Sequence, residues 1–328
     1  MRMRRLGNTG HHVSEIGFGA WGLGGDMWRG VPDEEGTLAL HTALDLGVTF
    51  IDTALVYGEG HSERLIARVL AERGNPDGLF VATKIPPKDV VWPGRAETRL
   101  AEVFPASWVV KCVEDSLRNL DCEALQLEQF HVWNDAWLDS LELEKTCRAM
   151  ERQKEQGKVL HWGVSINSHA PETALRLLAD PIVEAVQAIY NIYDRSAERD
   201  LFRLARERSL AIIVRVPLDE GALTGEIRPD TVFPRGDWRN VYFRHDRRAE
   251  AARRAQALTS LLGEEARTLS ELALRFCLFP EEVTTVIPGM RRPEHARANA
   301  AISDGRRLSP ALLDRLRAHE WNKNWYLD

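Results

Sequence analysis

The stretch Thr49-Phe50-Ile51-Asp52-Thr53-Ala54-Leu55-Val56-Tyr57-Gly58-Glu59-Gly60-His61-Ser62-Glu63-Arg64 contains a complete strand, loop and helix start. Val48 to Ile51 is a β-branched and aromatic run, which reads as a buried strand. Asp52 ends it, where a carboxylate is costly unless paired. Gly58 and Gly60 mark a loop. Ser62 is a candidate N-cap, with Leu65, Ile66, Val69 and Leu70 on one face of the helix that follows. Asp52 and Tyr57 are therefore expected on a strand-to-helix loop. In a (β/α) barrel such loops open onto the catalytic face.

The same unit recurs on both sides. A first strand, Ile16 to Gly19, precedes a glycine-rich loop, and Asp33 to Leu46 reads as a helix with acidic residues at its positive end. Strands are expected at Leu79 to Lys84, Leu125 to Phe130, Val159 to Val164, Ile182 to Ala188, Ala211 to Val216 and Val283 to Ile287. Helices are expected at Ala106 to Leu120, Leu141 to Gln156, Pro171 to Ala179, Glu198 to Arg208, Arg247 to Leu262, Ser270 to Leu278, Pro293 to Ala301 and Pro310 to Glu320. Pro217 to Asp246 is a long polar and aromatic segment, the kind of loop that serves as a lid or stays disordered. Eight strands alternating with helices point to an α/β (β/α)8 TIM barrel in one domain spanning residues 1–328, with a doubly wound open sheet as the alternative.

Composition narrows the function. The 328 residues are 44% hydrophobic and 28% charged, as in a globular protein, and the net charge of −6 argues against a general nucleic-acid binder. Cys112, Cys122, Cys147 and Cys277 have no CxxC spacing and read as reduced thiols. His11-His12 lacks a partner pattern, so no metal is expected. With no apolar run long enough for a bilayer and no leader, the expected location is the cytoplasm. Gly17-x-Gly19-x-x-Gly22 formally fits a dinucleotide fingerprint, but Gly24 and Gly25 continue the glycine run where that motif needs a helix.

Four ionisable residues fall at or just beyond strand ends: Asp52 and Tyr57, Lys84, and His131. Adjacent strands lie about 5 Å apart, so these groups can converge. A lysine cation near a tyrosine would lower the phenol pKa, and the carboxylate of Asp52 would keep Lys84 charged. His131 could donate a hydrogen bond to a carbonyl oxygen. A proton donor beside a carbonyl-orienting group, with no metal and no activated nucleophile, suits reduction of a C=O by an external hydride.

On Asp52-Thr53-Ala54-x-x-Tyr57-Gly58 with Ser62-Glu63, then Lys84, then His131, the chain resembles the aldo-keto reductase superfamily. The resemblance implies a (β/α)8 barrel binding NADPH at the strand C-termini, with NADH possible, and a small carbonyl substrate. Nucleic acid and membrane are not expected partners. It makes Tyr57 the general acid, tuned by Lys84 and Asp52, with His131 orienting the substrate. It places Gly19, Ala20 and Trp21 beside the nicotinamide, and Ser165, Asn167 and Gln187 at its carboxamide; Ile166 separates Ser165 from Asn167. It assigns Pro217, Leu218, Gly221, Leu223 and Gly225 to a pyrophosphate loop, and Ile287, Gly289, Arg291, His295 and Asn299 to the adenosine end. Arg291, His295 and Asn299, spaced by four, are expected on one helix face, with Arg291 toward a 2′-phosphate. Arg215 stands where relatives carry an aromatic that stacks on the nicotinamide; a guanidinium can stack, but adds charge beside a ring that is cationic when oxidised. Trp21, Trp92, Trp133 and Gly221 to Asp246 are candidate pocket walls, and Trp321 to Tyr326 a cover for the site or an interface. The alternatives are a regulatory or binding protein that senses nicotinamide on the same barrel, and a barrel enzyme using Lys84 as a Schiff base.

Overall fold

The computed structural model describes residues 1–326. An antiparallel hairpin, β1 (Met3–Arg5) and β2 (His12–Ser14), comes first; the sequence reading missed it. Eight parallel strands follow and pair in chain order: β3 (Phe18–Gly19), β4 (Phe50–Asp52), β5 (Phe80–Ile85), β6 (Leu125–Phe130), β7 (Val159–Ser165), β8 (Val183–Ile189), β9 (Ala211–Arg215) and β10 (Val283–Val286). The sheet curls until its edges meet through parallel bridges Ile16 to Val286 and Gly19 to Gly289. Gly19 permits this closure: a Cβ there would stand 2.7 Å from the Ile287 carbonyl oxygen and 2.9 Å from that of Pro288.

Strand side chains alternate between faces, and this parity positions the site. Phe50, Phe80, Ala82, Leu127, Ala185, Ala211, Ile213 and Ile287 form one cluster inside the barrel, joined by Leu6 and Val13 of the hairpin region. Two residues further along the same strands come Asp52, Lys84, Gln187 and Arg215. The inward face is thus apolar below and polar at the C-terminal rim. The other parity builds the larger core between strands and helices, with Ile51, Ile85, Phe130, Trp162, Val164, Val186 and Val214.

Some local expectations change. The helix after the central loop runs His61–Glu72 with Gly60, in left-handed backbone, as its N-cap, so Ser62 does not cap it. Its hydroxyl instead donates to the Ala20 carbonyl at 3.1 Å and accepts from Thr53 Oγ1 at 2.9 Å, tying the loops after β3 and β4 together. Pro171 to Ala179 forms two short 3-10 segments, Pro171–Ala174 and Leu177–Ala179. The segment after β9 is ordered, through a 3-10 turn at Asp219–Thr224 and a short helix at Arg239–Tyr242.

Glu128 of β6 takes the outward parity and is fully buried under the helices. Neither carboxyl oxygen has a partner of normal geometry. Burial, then the nearby Glu63, holds its pKa well above the usual carboxyl range, with the peptide of Gln129 and Lys84 opposing. The folded chain thus retains a proton that the unfolded chain releases. Stability should fall as pH rises from about 4.3, the unfolded glutamate value, toward the raised folded value. Glu128→Met removes both orphan oxygens while filling similar space. It should raise stability by about 1–3 kcal/mol at neutral pH, with a gain that grows between pH 5 and pH 8 in denaturant titrations. A gain independent of pH would contradict this account.

Candidate active site

The rim of the barrel brings together groups far apart in the chain. Lys84 Nζ donates to Asp52 Oδ2 at 2.7 Å and to the Thr53 carbonyl at 2.6 Å. The other carboxylate oxygen of Asp52 accepts from Gln187 Nε2 at 2.7 Å. Lys84 and Asp52 are buried, so the pair is a low-dielectric one that holds only because each charge is bonded. Lys84 Nζ lies 5.2 Å from the centroid of the Tyr57 ring. The His131 ring meets Tyr57 edge-on, centroids 5.9 Å apart.

Local structure explains the placement of Tyr57. The loop turns back at Gly58, whose backbone is left-handed and where a Cβ would sit 2.2 Å from the Gly24 carbonyl. Trp21, in the 3-10 turn Trp21–Gly24, stacks on Tyr57 at 6.1 Å and 28°. Trp92 meets His131 edge-on at 5.8 Å. Trp21 and Trp92 therefore wall the mouth. Trp133 does not: it is buried in the outer core against Phe130 and Trp137.

The electrostatics correct one expectation. Burial and the Asp52 carboxylate raise the Tyr57 phenol well above its usual value, with Arg215 opposing. Lys84 is lowered from the usual lysine value, because burial outweighs the pull of Asp52. Desolvation thus dominates, where the sequence reading had the lysine lowering the phenol. His131 falls well below the usual histidine value through burial, Lys84 and Arg215, so its imidazole is neutral. Its Nδ1 is buried without a hydrogen-bond partner.

The residues assigned by resemblance to a cofactor are dispersed more widely. Gly19 and Ala20 lie at the end of β3, and Ser165 ends β7 beside Gln187. Asn167 is turned into the protein: its Oδ1 accepts from the Gly94 N–H at 2.8 Å and its Nδ2 donates to the Gly94 carbonyl at 3.0 Å. Arg215 reaches over the strand ends and donates to the Ile166 carbonyl at 3.0 Å and Ser168 Oγ at 3.3 Å; its Nε has no partner. Pro217, Leu218, Gly221 and Gly225 follow β9 in a loop where Val216, Asp219, Glu220 and Gly221 all have left-handed backbone, while Leu223 is a core side chain. Ile287 belongs to the barrel interior and Gly289 is open, with nothing within 4 Å of a Cβ built there. His295 and Asn299 share the helix Pro293–Ala300, but Arg291 precedes it, so the three do not share a helix face. Arg291 instead stacks over Trp28, 5.0 Å from the ring centroid, and donates to the Arg29 carbonyl at 3.2 Å. Burial lowers its pKa to about 10.

The segment Trp321 to Tyr326, expected as a cover for the site or an interface, lies against the loop after β9, and only its polar partners escaped sequence reasoning. Lys323 donates to Asp219 Oδ1 and to Tyr242 Oη, both at 2.8 Å, and Tyr326 Oη donates to Glu220. Asn324 Nδ2 donates to the Ser168 carbonyl at 3.2 Å. The C-terminal segment thus straps the loop after β9, and Trp238 stacks on Tyr326 at 6.2 Å while contacting Trp21. Burial pushes the Glu220 carboxyl up to about 7. The sequence held one signal, the adjacent acids Asp219-Glu220 inside a loop expected near phosphates.

Among the described residues no group of three or more His, Cys, Asp or Glu could hold a metal ion, and no helix is long and apolar enough to cross a membrane. The residues at the mouth do fit a nicotinamide dinucleotide. The open Gly289, the bare His131 Nδ1 and the unpartnered Arg215 Nε border one rim with Tyr57.

Comparison with known proteins gives the family and the fold. The model of the Aldo/keto reductase family matches residues 15–320. The chain is 29% identical over 311 residues to the aldo-keto reductase YhdN of Bacillus subtilis, covering 92% of this chain and 89% of that protein. It is 29% identical over 332 residues to a probable voltage-gated potassium channel subunit beta of Arabidopsis thaliana, covering 96% and 95%. The solved glycerol dehydrogenase AKR11B4 of Gluconobacter oxydans superposes with a TM-score of 0.77 at 28% identity, covering 97% of this chain and 94% of that one. With its eight-stranded barrel and a family match over nearly its whole length, this chain belongs to the aldo/keto reductase family and is an NAD(P)H-dependent oxidoreductase.

Proposed function

We propose that the protein reduces an aldehyde or ketone to an alcohol with NADPH, Tyr57 serving as the proton donor. The observation that carries this reading is the meeting of Tyr57, Lys84, Asp52 and His131 at one barrel rim. Bound NADPH supplies the hydride. Ser165, Arg215, the loop from Pro217 to Gly225, and Arg291 with His295 and Asn299 are the residues that would hold it. Trp21, stacked on Tyr57, and Trp92, edge-on to His131, border the space where the carbonyl would sit. The neutral imidazole of His131 can donate one hydrogen bond and orient the carbonyl oxygen toward the phenol. Tyr57 then transfers its proton to that oxygen as negative charge develops. The Lys84 ammonium, 5.2 Å from the ring, stabilises the phenolate left behind, and Asp52 holds that ammonium in place.

A panel of aldehydes and ketones, followed by loss of NADPH absorbance, tests the reading. Turnover on none of them despite tight NADPH binding would favour the sensing alternative, which the likeness to a probable channel beta subunit keeps in view. A Schiff-base role for Lys84 is disfavoured by its two short bonds to Asp52 and Thr53.

Arg215 should set which redox form of the cofactor is preferred. It has no carboxylate ion pair among the described residues, so its charge is felt at the rim. Arg215→Gln should tighten NADP+ binding relative to NADPH by about fivefold, on the order of 1 kcal/mol. Fluorescence titration with both forms measures this ratio, and an equal change for both would refute it.

A further inference from the structure

We propose that Glu220 is a proton-linked group of the cofactor site: it takes up a proton when the anionic dinucleotide binds, so pH sets how tightly the cofactor is held. The inference rests on the cofactor placement proposed above. Its geometric basis is a buried carboxyl in the loop that follows β9. Asp219, Glu220 and Gly221 have φ of 48°, 56° and 101°, a left-handed run, and the Glu220 side chain ends inside the protein against Tyr326. The two neighbouring acids differ in their partners. Asp219 accepts from Lys323 Nζ and Tyr242 Oη, so a cation matches its charge. Glu220 accepts from the Tyr326 phenol, and no cation pairs with it among the described residues. Burial without a paired cation favours the neutral carboxyl.

The carboxyl also stands where a bound anion would feel it. Tyr326 stacks on Trp238, Trp238 touches Trp21, and Trp21 stacks on Tyr57. Glu220 thus shares the rim with the proton donor, and its charge acts on Tyr57. The groups facing it are Asp219 on its own loop, Arg215 at the end of β9, Tyr57 after β4, Tyr242 on the short helix, and Lys323 and Tyr326 of the C-terminal segment. Burial holds the carboxyl up at about 7; Asp219 adds to the rise, and Tyr326, Arg215 and Lys323 oppose it. The diphosphate of a nicotinamide dinucleotide is negative and disfavours the ionised carboxyl, so binding raises its pKa further. The protonated form therefore holds the cofactor more tightly, and affinity falls as pH rises through the carboxyl's own value.

NADPH dissociation constants from fluorescence titration between pH 6.5 and pH 9 test this. A carboxyl pKa raised by about one unit on binding makes the complex about fivefold or more weaker at pH 9 than at pH 6.5. Glu220→Gln keeps the shape and can still accept from Tyr326, but cannot ionise. It should bind NADPH within about threefold of the parent at pH 6.5, and about fivefold or more tightly than the parent at pH 9. The 2′-phosphate of the cofactor, which titrates near pH 6, and Lys84 are common to both proteins, so the ratio of the two constants isolates Glu220. Tyr326→Phe removes a donor that favours the ionised carboxyl, so its weakening should begin about half a pH unit higher or more. Calorimetry at pH 7.5, in two buffers of different ionisation enthalpy, should find about half a proton more taken up on binding by the parent than by Glu220→Gln. A ratio of constants that does not change with pH overturns the proposal, as does equal proton uptake, or an onset in Tyr326→Phe that is unmoved or earlier. If Glu220→Gln fails to fold, the displaced profile of Tyr326→Phe carries the test. Binding is read without turnover, so a protein that binds NADPH and reduces no carbonyl defeats the reductase reading alone, and one that binds no NADPH overturns both.

Discussion

Tyr57→Phe should lower kcat for carbonyl reduction by about 10²–10⁴-fold, the range attributed to a positioned general acid, while NADPH binds with nearly unchanged affinity. The variant deletes only the phenolic oxygen. The ring contacts with Trp21 and His131 remain, so the walls of the mouth should persist. Burial and Asp52 hold the phenol protonated beyond its ordinary range, so the acid form is present throughout a usual assay. The alkaline fall of reduction should therefore report Lys84, whose pKa lies below the usual lysine value. Its sign follows: as pH rises through that lowered value the ammonium is lost, and with it the stabilisation of the phenolate. Steady-state kinetics across pH, beside fluorescence titration of NADPH, check both parts. Full activity of Tyr57→Phe on every carbonyl tested would end the assignment.

Lys84→Met should destabilise the fold by about 3–5 kcal/mol, because it strands a buried carboxylate. Asp52 would keep only the Gln187 bond for a charge held inside the protein. Its carboxyl should then protonate during folding, so the loss should be larger at neutral pH than at mildly acid pH. The double variant Asp52→Asn with Lys84→Met removes both charges. It should recover most of the stability and none of the activity. Denaturant titrations of the two single variants and the double variant form a cycle. A double variant no more stable than Lys84→Met would show that packing, and not the stranded charge, sets the cost.

The sequence by itself determined the alternation of eight strands with helices, since buried strands and amphipathic helices carry their periodicity locally. It also determined which chemical groups stand at the strand ends. Asp52, Lys84 and His131 were legible there because polar residues closing apolar runs are conspicuous. The tertiary structure decided what those groups do to one another. That the phenol rises and the lysine falls is a consequence of burial, a property of the assembled barrel and of no local stretch. That Gln187 meets Asp52 follows from pleat parity across strands 135 residues apart in the chain. That Lys323 and Tyr326 strap Asp219 and Glu220 depends on how the chain's end folds back over the rim. Long-range pairing of charges leaves no periodic trace in a sequence, because the partners are chosen by the closure of the sheet.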